Sequence, residues 1–188
     1  MLDKRMQDAI NGHINWEFYS GYLYLSMASK FADLGMPGGQ NWMTVQYREE
    51  LGHARVMFSY VLSRGGRVLL DAIPRPEAEW KDGLAMFEEA LAHEQGVTAR
   101  IDELASLALE LKDHATYNFL QWFIAEQVEE EETAQGMVQK FKMAAEHPAG
   151  LYQLDGELAT RVYAPATPLA ALTAAATSRA VAASSMPI

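Results

Sequence analysis

The amino-acid sequence predicts an all-α protein: a four-helix bundle with one long crossover, a short fifth helix and an Ala-rich C-terminal tail. Glycine and proline divide the chain into long segments in which apolar residues recur every three or four positions, as in amphipathic helices. No strand-like alternation of any length is present. The segment 65–82 contains Ile73-Pro74-Arg75-Pro76 and is expected to be extended.

Local signals place the ends of the helices. Gly35-Met36-Pro37 ends the first helix, and Gly65-Gly66 is a strong C-terminal signal for the second. The tight turn Lys112-Asp113 leads from the third helix into the fourth, which stops before His147-Pro148. The expected helices are residues 2–34, 38–64, 83–111, 114–146 and 151–163.

The lengths of the connections predict the topology. Short turns after the first and third helices make two antiparallel hairpins. The segment 65–82 can span about 60 Å at ~3.3 Å per residue, whereas the second helix is about 40 Å long at ~1.5 Å per residue. The crossover can therefore run the whole bundle, which leaves the second and third helices parallel.

Composition excludes several classes of protein. The absence of cysteine rules out disulfide frameworks, thiolate zinc sites, cysteine-ligated iron–sulfur clusters and thiol nucleophiles. A formal net charge of −10 argues against nucleic acid as a partner and favours cations. The N-terminus carries charges where a signal peptide needs apolar residues, and the alanines of the tail are too weakly hydrophobic for a membrane span. We therefore expect a cytoplasmic protein without a membrane partner.

Each long helix carries at least one metal-capable side chain on its apolar face. These residues are Glu17 in the first helix, Glu50 and His53 in the second, Glu94 in the third, and Gln127 and Glu130 in the fourth. Four converging buried carboxylates would repel one another, and no Lys or Arg shares their faces. A pair of divalent cations would supply the missing charge. Oxygen-rich ligation with little nitrogen and no sulfur suits iron or manganese better than structural zinc.

Each of these residues has a plainer explanation when it is taken alone. A single Glu17 on an apolar face is more often a boundary residue, and one Glu-x-x-His pair is common in helices. The run Glu129–Glu132 would ordinarily be a solvated acidic face; here Glu130 falls on the inner face with Glu129 beside it. Because all four helices turn such a residue toward the core, a metal site becomes the favoured interpretation of the set. The other histidines are interpreted as surface or helix-end residues: His13, His93, His114 and His147.

The chain resembles the bacterial non-haem ferritin family over about residues 1–161. The stretches that carry this resemblance are NWEFYSGYLYLSMA, YREELGHARVMF, LAHEQ, NFLQWFIAEQVEEEE and GLYQLDGELAT. The single long crossover is the ferritin-like connection among four-helix bundles, and Glu50-x-x-His53 is the carboxylate–imidazole pair of di-iron carboxylate bundles.

The resemblance implies a set of site residues. One iron of a di-iron ferroxidase centre would be held by Glu17, Glu50 and His53. Glu50 would bridge to a second iron, which would be held by Glu94 and Glu130 with Gln127 alongside. A third, weaker iron site transfers to Glu49, Glu126, Glu129 and Glu130. Tyr24 matches the tyrosine beside the centre, where it can give an electron to intermediates, and Trp122 occupies a nearby aromatic position.

The resemblance also implies the activity. The expected function is iron storage with ferroxidase activity: Fe(II) is oxidised by O2 or H2O2, and Fe(III) is kept as a hydrated oxide inside a cage of 24 subunits. Haem is not expected, because Gln127-x-x-Glu130 lacks the second histidine of bacterioferritins and Leu51-Gly52 stands where a haem-bridging methionine would be. Rubrerythrins need cysteine, and Dps-type proteins place their ligands across a subunit interface.

Two alternatives remain open from sequence. One is a di-iron or di-manganese oxygenase or peroxidase acting on an organic substrate, and the other is a metal-binding or structural bundle without catalysis. The domain boundary is expected at 163, with a di-iron domain over 1–163 and a low-complexity extension over 164–188. The extension is interpreted either as a mobile tail or as a segment that packs on the shell or lines a pore.

Overall fold

The computed structural model describes residues 2–147 and 149–168. These residues form five helices and contain no strand. The helices are α1 (Lys4–Asp33), α2 (Pro37–Ser63), α3 (Gly83–Glu110), α4 (His114–Ala144) and α5 (Gly150–Leu158). The expected all-α bundle is therefore confirmed, and the four long helices begin and end within a few residues of their expected bounds. None of the helices in the described ranges is long and apolar enough to cross a membrane.

The fifth helix is shorter than expected. It was expected over 151–163, but it ends at Leu158, and residues 161–166 have no regular secondary structure. The side-chain amide of Asn41 explains the difference, because its Nδ2 donates hydrogen bonds to the carbonyl oxygens of Leu158, Ala159 and Arg161 at 3.3, 3.3 and 3.0 Å. A side chain from α2 therefore takes the carbonyls at the end of the helix, and the following residues run beside α2.

Aspartate side chains cap three of the long helices. Asp3 accepts a hydrogen bond from the Arg5 amide, Asp82 from Ala85 and Asp113 from Thr116, at 2.8, 2.9 and 3.1 Å. Each such cap stabilises a helix start by ~1 kcal/mol. The turn after α1 has Gly35 at φ 72°, the turn after α2 has Gly65 at φ 72°, and the turn after α3 has Lys112 at φ 54°. The last of these is an unusual left-handed conformation for a residue with a side chain.

The crossover between α2 and α3 is tied along α1 by polar side chains. Asn11 and Asn15 donate to the carbonyls of Arg67 and Ala72 at 3.1 and 3.2 Å, and Ser26 Oγ donates to the carbonyl of Glu77 at 2.6 Å. Successive crossover residues therefore meet successive turns of α1. The crossover runs in the same direction as α1 and opposite to α2, so α2 and α3 are parallel, as the connection lengths predict.

The apolar core is divided into two parts by a polar layer. One part contains Met6, Ile10, Met57 and Ile101, and the other contains Met27, Phe31, Phe87 and Phe141. The residues between them are polar and buried: Glu17, Ser20, Gln46, Glu50, His53, Glu94, Gln127 and Glu130. The layer lies near mid-bundle with dry packing on both sides, which keeps its charges away from bulk water.

Helix α5 packs closely against the start of α2. Asp155 Oδ1 accepts a hydrogen bond from the Gly39 amide at 2.9 Å. A Cβ atom added to Gly38 would lie 1.8 Å from the backbone oxygen of Asp155. Only glycine allows this approach, so the backbone of α5 lies directly against the backbone of α2 at this point.

The tail is described only in part. Ala166 packs against the part of the core that contains Met6 and Ile10. Residues 169–188 of the predicted extension lie outside the described residues. The boundary at 163 stays a prediction.

Candidate metal centre

The polar layer brings together the inner carboxylates that the sequence singles out. Glu17 comes from α1, Glu50 from α2, Glu94 from α3 and Glu130 from α4, and their exposed fractions are 0, 1, 2 and 8%. Glu50 and His53 lie one turn apart on α2, so they point the same way. Helical periodicity thus places one carboxylate of each long helix in a single buried layer.

Two groups of side chains have the spacing of a metal site. Glu17, Glu50 and His53 each offer a ligand atom, and these atoms lie within 4.8 Å of one another; the same holds for His53, Glu126 and Glu130. His53 belongs to both groups, so the two sites are neighbours. Glu126 and Glu130 lie one turn apart on α4, and Glu126 is half-buried. The geometry is that of two adjacent cation sites that share a residue.

Glu94 is held beside these groups by two neighbours. The Tyr24 hydroxyl donates a hydrogen bond to Glu94 Oε1. Gln127 Nε2 donates to Glu94 Oε2 at 3.1 Å and to the Glu94 carbonyl at 3.3 Å. Burial and the charge of Glu94 raise the pKa of Tyr24 well above its ordinary value, so the phenol stays protonated and can donate. Gln127 and Tyr24 therefore orient a carboxylate from another helix.

Gln46 joins two of the carboxylates and was not predicted from the sequence. Its Nε2 donates to Glu50 Oε1 at 2.9 Å and to Glu130 Oε2 at 3.0 Å. Gln46 lies four residues before Glu50 on α2, so its position on the inner face was visible in the helical spacing. A neutral amide on that face carries no signal of its own, because it also occurs as ordinary buried polar packing.

His13 and His93 are not the surface residues that the sequence analysis expected. His13 is 3% exposed, and its Nε2 lies 2.9 Å from Glu17 Oε1, at hydrogen-bond distance. His93 is partly buried, lies 2.7 Å from Ser20 Oγ through its Nε2, and stacks on Trp16 at a centroid distance of 5.5 Å. The four-residue spacing of His13 and Glu17 could have predicted the first contact. The other two histidines, His114 and His147, are exposed as expected.

Electrostatics show that the layer lacks positive charge. Burial raises the pKa of Glu50, and it raises the pKa of Glu94 well above its usual range, with neighbouring carboxylates adding to the effect. Burial and the charge of Glu50 raise the pKa of Glu130 to about 7. For Glu17, burial raises the pKa but His13 and His53 outweigh it, so the pKa is lowered overall. The carboxylates compete for very few cationic groups.

The imidazole of His53 compensates part of this charge. Burial lowers its pKa, but Glu50 and Glu17 outweigh burial and raise it to about 10. Glu17 Oε2 is nevertheless buried without a hydrogen-bond partner among the described residues. An oxygen with no donor, in a layer of excess carboxylates, is what a bound cation would satisfy. Oxygen ligands with one imidazole fit iron.

The four residues of the implied third iron site do not form one group. Glu126 and Glu130 lie close to His53, whereas Glu129 is exposed and Glu49 binds Arg161. Trp122 is partly buried and presents its ring edge-on to His53 at a centroid distance of 5.6 Å. Two of the four residues, Glu126 and Glu130, thus belong to the second group described above, and Glu49 and Glu129 do not join them.

These shifts predict that the metal-free protein loses stability as pH rises. The folded-state pKa of Glu130 is about 7 against an ordinary 4.5, and that of His53 is about 10 against 6.5. Between pH 4.5 and about 7 for Glu130, and between pH 6.5 and about 10 for His53, the folded protein holds a proton that the unfolded chain has released. The free energy of unfolding therefore falls as pH rises. Saturating Zn²⁺ should reverse the trend, because it replaces those protons and binds the deprotonated ligands.

Thermal unfolding with chelator and with Zn²⁺, between about pH 5 and about pH 9, measures this dependence. Glu130→Gln should flatten the lower part of the metal-free curve, and the exposed Glu132→Gln should leave it unchanged. Equal midpoints across the range in metal-free protein would show that these groups titrate normally.

Comparison with known proteins agrees with this architecture. A family model described as a ferritin-like domain matches residues 7–144. The bacterial non-heme ferritin of Bacteroides fragilis is 42% identical over 161 residues, which are 86% of this chain and 100% of the relative. That of Campylobacter jejuni is 37% identical over 155 residues, or 82% of this chain and 93% of the relative.

Solved structures give the same result. An open-pore ferritin from the hyperthermophilic archaeon Archaeoglobus fulgidus superimposes with a TM-score of 0.85 at 51% identity, covering 86% of this chain and 100% of that one. A closed form of the Archaeoglobus fulgidus ferritin, made by site-directed mutagenesis, gives a TM-score of 0.86 at 51% identity and covers 87% and 100%. With its crossover, its buried carboxylate layer and these matches, the chain belongs to the ferritin-like family as a relative of the bacterial non-haem ferritins.

Proposed function

We propose that this protein is a ferroxidase and an iron store: it oxidises Fe(II) at the buried carboxylate layer and keeps Fe(III) as a hydrated oxide inside a hollow homo-oligomer. The observation that carries the proposal is the pair of adjacent groups, Glu17–Glu50–His53 and His53–Glu126–Glu130, inside a dry bundle. Family membership supports the same reading.

The residues have distinct roles in the proposed reaction. Glu17, Glu50 and His53 bind the first Fe(II), and Glu50 reaches toward the second, which Glu94 and Glu130 bind. Carboxylates stabilise the higher charge of Fe(III) more than that of Fe(II), so the site favours oxidation. Each Fe(II) gives up one electron, and O2 takes both with two protons to become H2O2. Supplied H2O2 instead takes two electrons and two protons and becomes water.

Three buried side chains keep the ligands in place. Gln46 links Glu50 to Glu130, so the ligands of the two irons move together. His13 fixes one oxygen of Glu17 and leaves the other free to bind. Tyr24 donates to Glu94 and lies where it can supply an electron, as its counterpart does in the family. Such supports commonly change metal affinity or activity by about 10–100-fold when they are removed.

A closed shell of 24 subunits is proposed from the family. Exposed apolar side chains on α1 and on the crossover support assembly. They are Tyr22, Leu25, Leu69, Leu70 and Ile73, which are 37–60% exposed in the isolated chain. In a closed shell, contacts with neighbouring subunits would cover these side chains. The proposed di-iron domain is 1–163, with 164–188 as an extension.

Oxidation of Fe(II), followed by absorbance and combined with sizing of the particle, tests the proposal. We expect oxidation much faster than in buffer, and a large particle that fills with ferric iron. If the particle binds iron but oxidises it no faster than buffer, the protein is a passive metal-binding bundle. Turnover of an organic substrate without a ferric core would instead identify an oxygenase.

A further inference from the structure

The residues after α5 form an ordered strap along α2, defined here as residues 159–163. Asn41 holds the strap through the carbonyls of Ala159 and Arg161. At its other end, the Arg48 guanidinium lies 4.1 Å above the centre of the Tyr163 ring. Contacts on both sides therefore fix the position of Arg161 between them.

Arg161 inserts its guanidinium between an aromatic ring and a carboxylate. The guanidinium lies 4.0 Å above the centre of the Trp42 ring, and Nη2 donates to Glu49 Oε2 at 2.5 Å. The side chains of Arg161 and Glu49 are only 21 and 19% exposed. Arg161 Nη1 is buried and has no hydrogen-bond partner in the described part of the chain. The guanidinium is thus drawn in by a single carboxylate and does not form the two parallel bonds of a bidentate pair.

The carboxylate that Arg161 binds belongs to the implied third iron site. Glu49 is one of the four residues of that site, with Glu126, Glu129 and Glu130. Arg161 Nη2 donates to Glu49 Oε2, and Glu49 is only 19% exposed, so little of its carboxylate is left for another cation. A guanidinium placed on this carboxylate supplies the positive charge that a metal ion would supply.

We infer that Arg161 is a built-in counter-ion that closes the third cation site, because its guanidinium and a metal ion cannot both occupy Glu49. The inference rests on the proposed function, since it names how one site of the proposed store is regulated. An arginine is charged at every physiological pH, so it competes with a metal ion wherever Glu49 is ionised. A third cation binds only when the strap withdraws, and its affinity is lowered by the competition.

The test counts cations in the metal-free assembled protein with Zn²⁺, which cannot be oxidised. Titration calorimetry of the wild type is expected to show two tight sites per subunit. Arg161→Gln is expected to raise the affinity of a third site by at least about tenfold, and the double variant with Glu49→Gln should lose this gain. Arg100→Gln is the matched control, because it removes an arginine that also lies over a tryptophan ring, 3.7 Å from the centre of Trp16, and contacts neither the strap nor a carboxylate of the site.

Two further variants keep the test decisive. Arg161→Lys retains the charge and is expected to behave like the wild type, whereas Arg161→Met retains packing on Trp42 and should open the site as Gln does. A third Zn²⁺ that binds wild type and both neutral variants within twofold, with particle size unchanged, overturns the inference. An equal gain in Arg100→Gln overturns it too. Because Zn²⁺ binding needs no oxidation, a protein that fails to oxidise Fe(II) refutes the proposed function and leaves this measurement intact.

Discussion

Glu50→Ala is expected to slow the fast phase of Fe(II) oxidation by about 100-fold or more and to leave the size of the particle unchanged. Glu50 is 1% exposed, and one of its oxygens lies within 4.8 Å of ligand atoms of both Glu17 and His53. Its other neighbour, Gln46, connects it to Glu130. Removing Glu50 therefore breaks the proposed first iron site and separates it from the proposed second one.

The same substitution should not unfold the protein. A cavity destabilises a core, but here the lost group is a carboxylate in a layer that already lacks positive charge. The midpoint of thermal unfolding of the metal-free variant is expected to stay near that of the wild type or to rise. Stopped-flow absorbance measures the fast phase, with Glu132→Ala, an exposed glutamate of the same α4 run, as control. A normal fast phase in Glu50→Ala would place the ferroxidase centre elsewhere.

Gly38→Ala is expected to lower the free energy of unfolding by ~1–3 kcal/mol or more and to loosen α5 from the bundle. The new methyl group would lie 1.8 Å from a backbone oxygen of Asp155, and backbone atoms cannot rotate away as a side chain can. The helix must shift or detach. Since the strap follows α5 directly, Arg161 should lose its contact with Glu49 in the same variant.

The matched control is Gly136→Ala in α4, where an added Cβ meets nothing within 4 Å. That change should stabilise the protein by ~0.5–1 kcal/mol, because alanine favours a helix interior over glycine. Urea unfolding measures both variants, and hydrogen exchange of residues 150–158 reports on the docking of α5. Similar unfolding midpoints for the two variants would show that α5 contributes little to stability.

The fold was predictable because its determinants are local. Helical periodicity, the turn glycines and the length of the crossover depend on neighbours in sequence, and the observed helix ends differ from the expected ones by only a few residues in α1 to α4. Glu17 and Glu94 were recognisable for a related reason. A charge on an apolar face conflicts with the pattern around it, and the conflict is visible without coordinates.

The missed residues share a physical explanation. Gln46 and His13 lie four residues before Glu50 and Glu17, so their spacing allows the contacts, but a neutral amide or a single histidine at that spacing also occurs as ordinary packing. The contact of Arg161 with Glu49 joins residues 112 positions apart in the chain. It depends on where Asn41 ends α5, and the fifth helix was expected to continue through that point. Side-chain amides that stop a helix from another helix are a tertiary effect, which periodicity does not contain.

The crossover gives the bundle the organisation of two halves joined by one covalent link. The hairpin before it supplies Glu17, Glu50 and His53, and the hairpin after it supplies Glu94, Gln127 and Glu130. A cation that is bound by both sets of residues holds the two hairpins together without a covalent bond. By reciprocity, each iron that tightens the docking of the hairpins is itself bound more tightly by the factor that the docking contributes. The free energy by which a bound cation stabilises the docking of the two hairpins is therefore equal to the free energy by which that docking tightens the binding of the cation.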